Sequence, residues 1–512
     1  MKPRAAHPAP PERRLEHVAA PPPSGTLWIA LPALMLAMMM ASLDQSIVNT
    51  ALPRISSDLG GLSHISWVVT GFMLTSTIAA PLYGKLSDLY GRRRLFVEGI
   101  CLFMSASALC GAQSMTQLIA CRAAQGLGAG GLMTLSQAAI GDLVGPQRRG
   151  RYQGIFTSAL AISAIAGPLI GGGLTTALSW RWVFYVNLPV GIIALGLIHV
   201  GFRHRPLPTA HRIDFAGALL LAAATAAALV LLSWGGSPMA WWSWRGLGLL
   251  SLSALLFALF IRQEARAPEP LMDLALFRIR SFSIGIMIGG AMGFATMSAL
   301  VFLPLYFQLV LGLDPARAGL MMLPQIGAMI VSSILGGQLS SRWGHVKPFL
   351  LLGVGAEATA LVGLRALAAA GAPTCAFLPV LGLMGLGMGV GMPNATVIIQ
   401  NTAPRSQIGV ATATMSFVRS LGGALGVALS GGLMAARLGE GLAFRIPGFD
   451  LRSIADAGLA RIAALPPSTR TAVIEAYRHA IGFSLSVSAG AMLVALLLVI
   501  TLPGGSLPDG RP

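Results

Sequence analysis

Apolar runs alternate with short polar segments along most of the chain. Each run has about 20 residues, the length that an α-helix needs to cross the hydrocarbon core of a bilayer. The runs lack the short, strictly alternating strands of a membrane β-barrel. We predict helices at about 27–50, 63–84, 95–113, 116–140, 152–175, 182–202, 214–234, 243–262, 281–309, 316–339, 347–370, 375–400, 406–436 and 479–503. The pattern therefore predicts an all-α polytopic membrane protein with 14 spans.

Composition supports this class, because 55% of the residues are hydrophobic and 10% are charged, against about 25% charged residues in soluble proteins. The net charge of +17 would suggest nucleic-acid binding in a soluble chain. Here, most basic residues fall in short segments on one side of the predicted spans, so we expect no nucleic-acid partner. Basic loops face the cytoplasm. The distribution therefore predicts a multi-pass membrane protein with both termini in the cytoplasm.

A charged segment between the second and third predicted spans is the most distinctive motif. It reads G-K-L-S-D-L-Y-G-R-R-R-L over residues 84–95, and a weaker copy, G-Q-L-S-S-R-W-G-H-V-K, covers residues 337–347. Ser341 stands in the second copy where Asp88 stands in the first. Related halves in a polytopic membrane protein suggest a transporter.

The first copy resembles the signature loop of the major facilitator superfamily. An ordinary basic loop with turn glycines would explain the arginines, but neither Asp88 nor the second copy. The resemblance implies a major facilitator fold of two six-helix bundles, here with two extra central helices, and a loop that stabilises the outward-facing state. The implied gating residues are Gly84, Asp88, Gly91, Arg92, Arg93 and Glu98.

Other stretches are similar to the 14-helix drug:proton antiporter branch of that family, the EmrB/QacA type. They are L-D-Q-S-I-V-N-T-A-L-P over residues 43–53, R-A-A-Q-G over 122–126, and W-R-W-V-F-Y-V-N-L-P over 180–189. We interpret the last one as a structural aromatic belt. A fourth similarity is the antiporter pattern of Gly154, Gly167, Pro168, Gly171 and Gly172, in which Ser163 replaces one glycine. Within the family this pattern accompanies exporters, and the resemblance implies a location in the bacterial cytoplasmic (inner) membrane.

The predicted organisation has five parts. They are a disordered cytoplasmic tail at 1–26, an amino-terminal six-helix bundle at 27–202, a linker with two inserted helices at 203–280, a carboxy-terminal six-helix bundle at 281–503, and a cytoplasmic tail at 504–512. Within the second bundle we expect a long periplasmic loop at 437–478. Ser468–Ile481 has the apolar spacing of a surface amphipathic helix.

Charged residues inside spans are costly, and they indicate function by default. Burial favours the protonated form of the Asp44 carboxyl, which makes Asp44 a candidate proton carrier; the alternative is a capping acid near the interface. The resemblance associates Arg122 with proton coupling, whereas a side chain that extends to the interface is the structural alternative. Glu357 is a candidate second proton carrier, with an interhelical pairing role equally open.

We predict a proton-coupled secondary antiporter that exports hydrophobic or cationic drugs and other toxic small molecules by alternating access, and not an enzyme. The polar residues expected in its substrate cavity are Asn49, Gln125, Gln308 and Asn394. No phosphate-binding G-x4-G-K-[ST] motif occurs, and the four cysteines lack metal-site spacing, so we expect a proton gradient in place of a cofactor. A dedicated exporter of one natural product, siderophore or lipid is the first alternative, and a nutrient symporter is the second. Some members of the branch work with a periplasmic adaptor and an outer-membrane channel, and the sequence leaves that partnership open.

Overall fold

The computed structural model describes residues 24–59, 65–202, 214–234, 243–445 and 466–503. These residues form long α-helices joined by short connections. We number the helices α1 (Ser24–Leu59), α2 (Ile65–Tyr90), α3 (Arg92–Leu109), α4 (Met115–Leu143), α5 (Arg149–Ala177), α6 (Trp182–Tyr185), α7 (Asn187–Gly201), α8 (Phe215–Trp234), α9 (Trp244–Glu264), α10 (Arg280–Leu309), α11 (Pro315–Leu320), α12 (Leu323–Trp343), α13 (Lys347–Ala370), α14 (Thr374–Thr402), α15 (Ile408–Arg445) and α16 (Pro467–Ile500).

The helices form two halves, each with its own apolar core. In the amino-terminal half, α1 packs on α5 and α7, and α4 packs on α2 and α3. In the carboxy-terminal half, α10 packs on α15 and α16, while α14 packs on α12 and α13. Phe96, Phe103 and Phe156 lie in the first core, and Phe282, Phe307 and Phe377 lie in the second.

Each copy of the charged motif contains a glycine with a positive φ. Only Gly91 separates α2 from α3, and its φ is 86°, while Gly344 ends α12 with a φ of 68°. Residues with a side chain rarely adopt such positive φ values. Both positions therefore favour glycine, although the two turns differ, with a ψ of 145° at Gly91 and 13° at Gly344. We call the end of the bundle that carries both turns the motif end and the other end the distal end.

The central insert is a helical hairpin. Its helices α8 and α9 pack on each other, and α8 also contacts α2 and α15. Leu221 and Phe260 of the hairpin share a small apolar cluster with Phe417 of α15. The hairpin therefore lies beside the line along which the two halves meet.

Eleven of the described helices are long and apolar enough to cross a membrane. The remaining long helices, α2, α3 and α4, complete the amino-terminal half. The count of 14 spans stays a prediction. The predicted tail at 504–512, most of the tail at 1–26 and the connection at 203–213 lie outside the described residues.

The structure differs from the expected loop at 437–478. Helix α15 continues to Arg445, and α16 begins at Pro467, so both helices project into that stretch, while residues 446–465 lie outside the described part. The amphipathic helix expected at Ser468–Ile481 forms the first turns of α16. Leu438 and Leu442 pack against Val473 and Ala476, so the apolar face joins two helices instead of lying on a surface.

Candidate functional site

A fully buried ion pair lies inside the amino-terminal half. Asp44 of α1 and Arg122 of α4 have 0% and 1% of their surface exposed, and Arg122 Nη1 donates to Asp44 Oδ2 over 2.5 Å. Gln125 Nε2 donates to the other carboxylate oxygen, Oδ1, over 2.7 Å. A buried charge pair is stable only when hydrogen bonds satisfy its remaining polar atoms. This network meets that condition on the carboxylate side.

Aromatic rings complete the surroundings of Arg122. Its guanidinium carbon lies 4.1 Å from the ring centroid of Phe72 and 5.9 Å from that of Phe184. Arg122 Nη1 also donates to Gln125 Oε1 over 2.6 Å. Cation–π contacts are strongest when the cation is removed from water. Arg122 is therefore held inside the protein, and it does not extend to the interface.

Two residues of this network were not predicted as functional. Asn187 Nδ2 donates to Asp44 Oδ1 over 2.7 Å, and Ser107 Oγ accepts from Gln125 Nε2 over 2.8 Å. Asn187 belongs to the stretch that we interpreted as an aromatic belt. The sequence signal that could have identified Asn187 was the position of its amide at the start of an apolar run. We define Asp44, Arg122, Gln125, Asn187 and Ser107 as the Asp44 cluster.

A second carboxylate of α1, Asp58, lies near the distal end with half of its side chain exposed. It accepts hydrogen bonds from Trp180 Nε1 over 2.7 Å and from Arg181 Nη1 over 3.1 Å. These two donors lower the pKa of Asp58 below its ordinary value. Asp58 therefore stays ionised over the neutral pH range.

At the motif end, Asp88 joins the two halves. Its Oδ2 accepts from the backbone N–H of Val410 over 3.0 Å, in the first turn of α15. The first N–H groups of a helix have no partner within the helix, and the helix dipole favours an anion there. The carboxylate also accepts from Arg92 Nη2 over 3.0 Å, and Arg92 pairs in addition with Asp142 of α4. Asp142 is a third participant that the motif does not contain.

The second copy of the motif makes the matching contact. Ser341 Oγ accepts from the backbone N–H of Arg151 over 2.9 Å, in the first turn of α5. Arg151 lies two residues after the start of α5, just as Val410 lies two residues after the start of α15. The two halves therefore cap each other's helices in the same way, once with a carboxylate and once with a hydroxyl.

Glycines allow the halves to approach closely beside these caps. A Cβ on Gly84 would lie 2.3 Å from Ala413 Cβ, and one on Gly154 would lie 2.0 Å from the backbone oxygen of Ser333. Gly337, the counterpart of Gly84, is equally close to the backbone of Gly150. Such distances exclude any side chain. The motif end is therefore closed by direct backbone packing.

Hydrogen bonds between the halves reinforce this closure. Arg149 Nη1 donates to the backbone oxygen of Gln400 over 2.8 Å and to Asn401 Oδ1 over 2.6 Å. Gln400 Nε2 donates in turn to the backbone oxygen of Gln137 over 2.9 Å. Arg149 and Gln400 are buried, so the bonds from Arg149 to the Gln400 backbone and from Gln400 to the Gln137 backbone lie away from water.

The remaining gating candidates lie apart from Asp88. Glu98 pairs with Arg94 over 2.8 Å on an exposed surface, and Arg93 contacts His199 over 2.8 Å. The structure therefore brings together Gly84, Asp88 and Arg92, and it places Glu98 outside their network.

The antiporter glycines have two different environments. Gly167 and Gly171 of α5 pack on Ser46 and Ile47 of α1, whereas a Cβ on Gly172 would meet nothing within 4 Å. Pro168, the remaining residue of the pattern, belongs to α5, and its side chain is exposed. Together with Gly154 at the motif end, the pattern serves contacts with both α1 and α12.

Glu357 lies inside the carboxy-terminal half with 0% exposure. Thr296 Oγ1 donates to its Oε1 over 3.4 Å, and within the described residues Oε2 has no hydrogen-bond partner. A buried carboxylate with so few donors is far cheaper to accommodate as the neutral acid. Its setting differs from that of Asp44, which has a cation beside it.

The four expected cavity residues do not form one group. Gln125 belongs to the Asp44 cluster, and Asn394 is buried, with Nδ2 donating to the backbone oxygen of Val390 over 2.8 Å. Asn49 is exposed and Gln308 is half-buried. In the described part of the chain, no cluster of three or more His, Cys, Asp or Glu could hold a metal ion.

The chain is similar to known transport proteins in sequence and in fold. Residues 34–427 match the Major Facilitator Superfamily. The chain is 38% identical over 413 residues to the multidrug transporter protein MdtP of Bacillus subtilis, covering 80% of this chain and 76% of MdtP. It is 35% identical over 423 residues to the acurin A biosynthesis cluster MFS-type transporter of Aspergillus aculeatus, covering 81% and 76%. The solved structure of the proton:xylose symporter XylE superposes with a TM-score of 0.62 at 14% identity, covering 94% of this chain and 98% of XylE.

Proposed function

The chain belongs to the Major Facilitator Superfamily, and from this premise we propose that it exports hydrophobic drugs and other toxic small molecules in exchange for protons. A multidrug transporter among its relatives supports drug efflux. The observation that carries the proton coupling is the buried pair of Asp44 and Arg122. The membership itself makes the chain a transporter of the bilayer, with small molecules as its substrates.

Proton binding changes the energy of the Asp44 cluster. When Asp44 takes up a proton, Arg122 loses its counter-ion while it remains buried, and an uncompensated buried charge costs several kcal/mol. Conformations in which Arg122 finds a new partner or water then become relatively more stable. A ligand can shift a conformational equilibrium only through such a difference between states.

The closed motif end supports our assignment of the conformational state. We assign the motif end to the cytoplasm because it carries the basic segments. Caps at Asp88 and Ser341 then hold the cytoplasmic side shut, and the state is outward-facing. A proton enters from outside, cargo leaves, and the return of the protonated protein to the inward-facing state completes the exchange. Each charge moved inward contributes about 2.3 kcal/mol per 100 mV of membrane potential.

The test uses two carboxylates of one helix. Purified chain in proteoliposomes with an imposed pH gradient is given a fluorescent efflux substrate, and Asp44→Asn is compared with Asp58→Asn. We expect Asp44→Asn to abolish gradient-driven transport and Asp58→Asn to retain it, since Asp58 is exposed and does not change its charge at neutral pH. Gradient-driven transport by Asp44→Asn at the rate of the unmodified chain would exclude Asp44 from coupling.

A dedicated exporter of one natural product is the second candidate. The similarity to a transporter of a biosynthesis cluster favours it. The mechanism is the same, so an efflux panel of unrelated compounds separates the two: export of several chemical classes supports the multidrug function, and export of a single class supports the dedicated one.

A further inference from the structure

Two cysteine thiols that the proton exchange does not use lie together near the distal end of the amino-terminal half. Cys110 immediately follows α3, and Cys121 lies in the second turn of α4. Their side chains form a hydrogen bond with each other, and Cys121 Sγ lies 3.5 Å from the backbone oxygen of Leu109, to which it donates. Cys121 packs against the apolar cluster that contains Cys110. The short connection between α3 and α4 therefore brings two thiols into contact.

This contact continues the hydrogen bonds of the Asp44 cluster. Ser107 Oγ accepts from Gln125 Nε2 over 2.8 Å, and Cys110 Sγ donates to Gln125 Oε1 over 3.7 Å. Cys121 precedes Gln125 by four residues, and residues with that spacing are neighbours on one face of a helix. The thiol of Cys121 is therefore one helical turn away from the amide that donates to the Asp44 carboxylate.

Reagents in water reach this pair from the distal end. The first turn of α4 carries the exposed residues Thr116 and Gln117, and Cys121 follows Gln117 by four residues on the same face. Cys121 is half-buried, whereas Cys110 has 0% exposure. Since we assign the motif end to the cytoplasm, the distal end faces the outside, a compartment in which disulfides form and persist. A reagent therefore meets Cys121 first and has Cys110 directly behind it.

The other two cysteines provide internal controls. Cys101 of α3 and Cys375 of α14 are exposed. Cys101 lies nine residues before Cys110, which is roughly 13 Å along a helix. In the part of the chain that the structure describes, neither of these two thiols has a hydrogen bond to another thiol. The pair is therefore the place where an internal disulfide is expected.

The oxidation is a thiol–disulfide exchange with a small organic disulfide as the oxidant. The Cys121 thiolate attacks one sulfur of the reagent, forms a mixed disulfide and releases one reagent thiol. Cys110 Sγ then attacks Cys121 Sγ, the bond from Cys121 to the reagent breaks, and a second reagent thiol leaves with the electron pair of that bond. The two cysteine protons pass to the two released thiols, so a disulfide in the protein replaces the disulfide of the reagent.

We propose that Cys110 and Cys121 form a redox modification site, and that the disulfide between them slows transport. A covalent bond between the sulfurs is much shorter than a hydrogen-bonded contact, so it draws the end of α3 and the second turn of α4 together. The bond also removes the thiol that donates to Gln125. The slowing rests on the proposed function, because it acts through the Asp44 cluster, whereas the modification itself does not depend on that function.

The first experiment detects the bond in the purified full chain. The chain in detergent is treated with dithiodipyridine, the remaining thiols are blocked with N-ethylmaleimide, and peptic peptides are analysed by mass spectrometry without reduction. We expect a disulfide between Cys110 and Cys121, with Cys101 and Cys375 carrying the reagent or the maleimide. If Cys110 and Cys121 are found only with the reagent or the maleimide, the inference is overturned.

The second experiment measures gradient-driven uptake by the oxidised and the reduced chain in proteoliposomes. All chains carry Cys101→Ser and Cys375→Ser, so the oxidant acts on the pair alone. We expect oxidation to lower the uptake rate at least about 10-fold, because a misplacement of 1 Å in an active site can cost about 100-fold, and we expect dithiothreitol to restore the rate. Cys121→Ser is the matched control: it keeps Cys110 but cannot form the bond, so the oxidant should leave its uptake rate unchanged.

The two experiments distinguish the ways in which the inference can fail. A disulfide without a change in uptake rate overturns the effect on transport. Slowing of the same size in the Cys121→Ser control shows that the bond is not its cause, and it overturns that effect as well. Absence of uptake by the reduced chain under every imposed gradient would count against the export function, while the linked cysteines would still establish the modification site.

Discussion

The cap that Asp88 places on α15 should set how often the motif end opens. Asp88→Asn removes the charge but keeps an oxygen that can accept from Val410 N–H. Hydrogen bonds to charged groups contribute about 1.5–3 kcal/mol and neutral ones about 0.5–1.5 kcal/mol, so the substitution should cost the closed state about 1–1.5 kcal/mol. Because 1.4 kcal/mol is a factor of ten, we expect the ratio of open to closed molecules to rise roughly 5- to 12-fold.

Spin labels can measure this ratio directly. Arg148 and Ser406 are exposed at the motif end, one in each half, so labelled cysteines at these positions move apart when that end opens. The four native cysteines are first replaced. Electron–electron distance measurements on the frozen protein then give the populations of short and long separations.

Glu98→Gln is the matched control for this experiment. It removes a carboxylate from the same end of the bundle, but Glu98 pairs with Arg94 on an exposed surface, and such pairs contribute about 0–1 kcal/mol. The population ratio should stay within about twofold of the unmodified chain. A shift in Glu98→Gln as large as that in Asp88→Asn, or no shift in either variant, would refute the capping role.

Three other predictions use the same preparations. Gly154→Ala should strongly raise the population of molecules with an open motif end, because the added Cβ would lie 2.0 Å from a backbone oxygen of α12. Gly172→Ala is the control and should leave the populations unchanged, since its Cβ would meet nothing within 4 Å. Equal populations in the two variants would contradict the packing. Asn187→Ala removes a hydrogen-bond donor from the Asp44 carboxylate and should reduce gradient-driven transport roughly 10-fold or more. An uptake rate in proteoliposomes equal to that of the unmodified chain would disprove this. Glu357→Gln should lower the ratio of protons to cargo by one, as read from the gradient needed to stop net flux, and an unchanged ratio would remove Glu357 from the proton path.

Family and fold were predictable because the relevant signals are local. Asp88, Gly91 and the repeat at Gly344 lie within short segments, and the comparisons confirm both the family and its fold. The partners of these segments are distant in the chain. Asp88 contacts Val410, and Arg92 contacts Asp142, and no spacing in the sequence connects them.

The candidate site was predictable only as a pair of charges. Asp44 and Arg122 stand out because ionisable residues inside apolar runs are rare. Asn187 did not stand out, because its direction depends on the break between α6 and α7, where the chain leaves one short helix and begins another. Arg419 was visible as a charge within a span, but its surroundings include residues of both halves, such as Gln153 and Met392, whose relative placement the sequence does not give.

Helix α5 gives the two parts of the molecule a physical connection. At one point it packs Gly167 and Gly171 on Ser46 and Ile47, two and three residues beyond Asp44 in α1. At another point the same helix packs Gly154 on the backbone of α12, where the halves close. Because α5 contributes glycines at these contacts, the atoms of Ser46 and Ile47 lie directly against its backbone, and we expect a change in the position of α1 to displace that backbone. If Asp44 carries the proton, as we propose, we predict that its protonation acts on the closure through this one helix and that a side chain in place of either glycine weakens the connection.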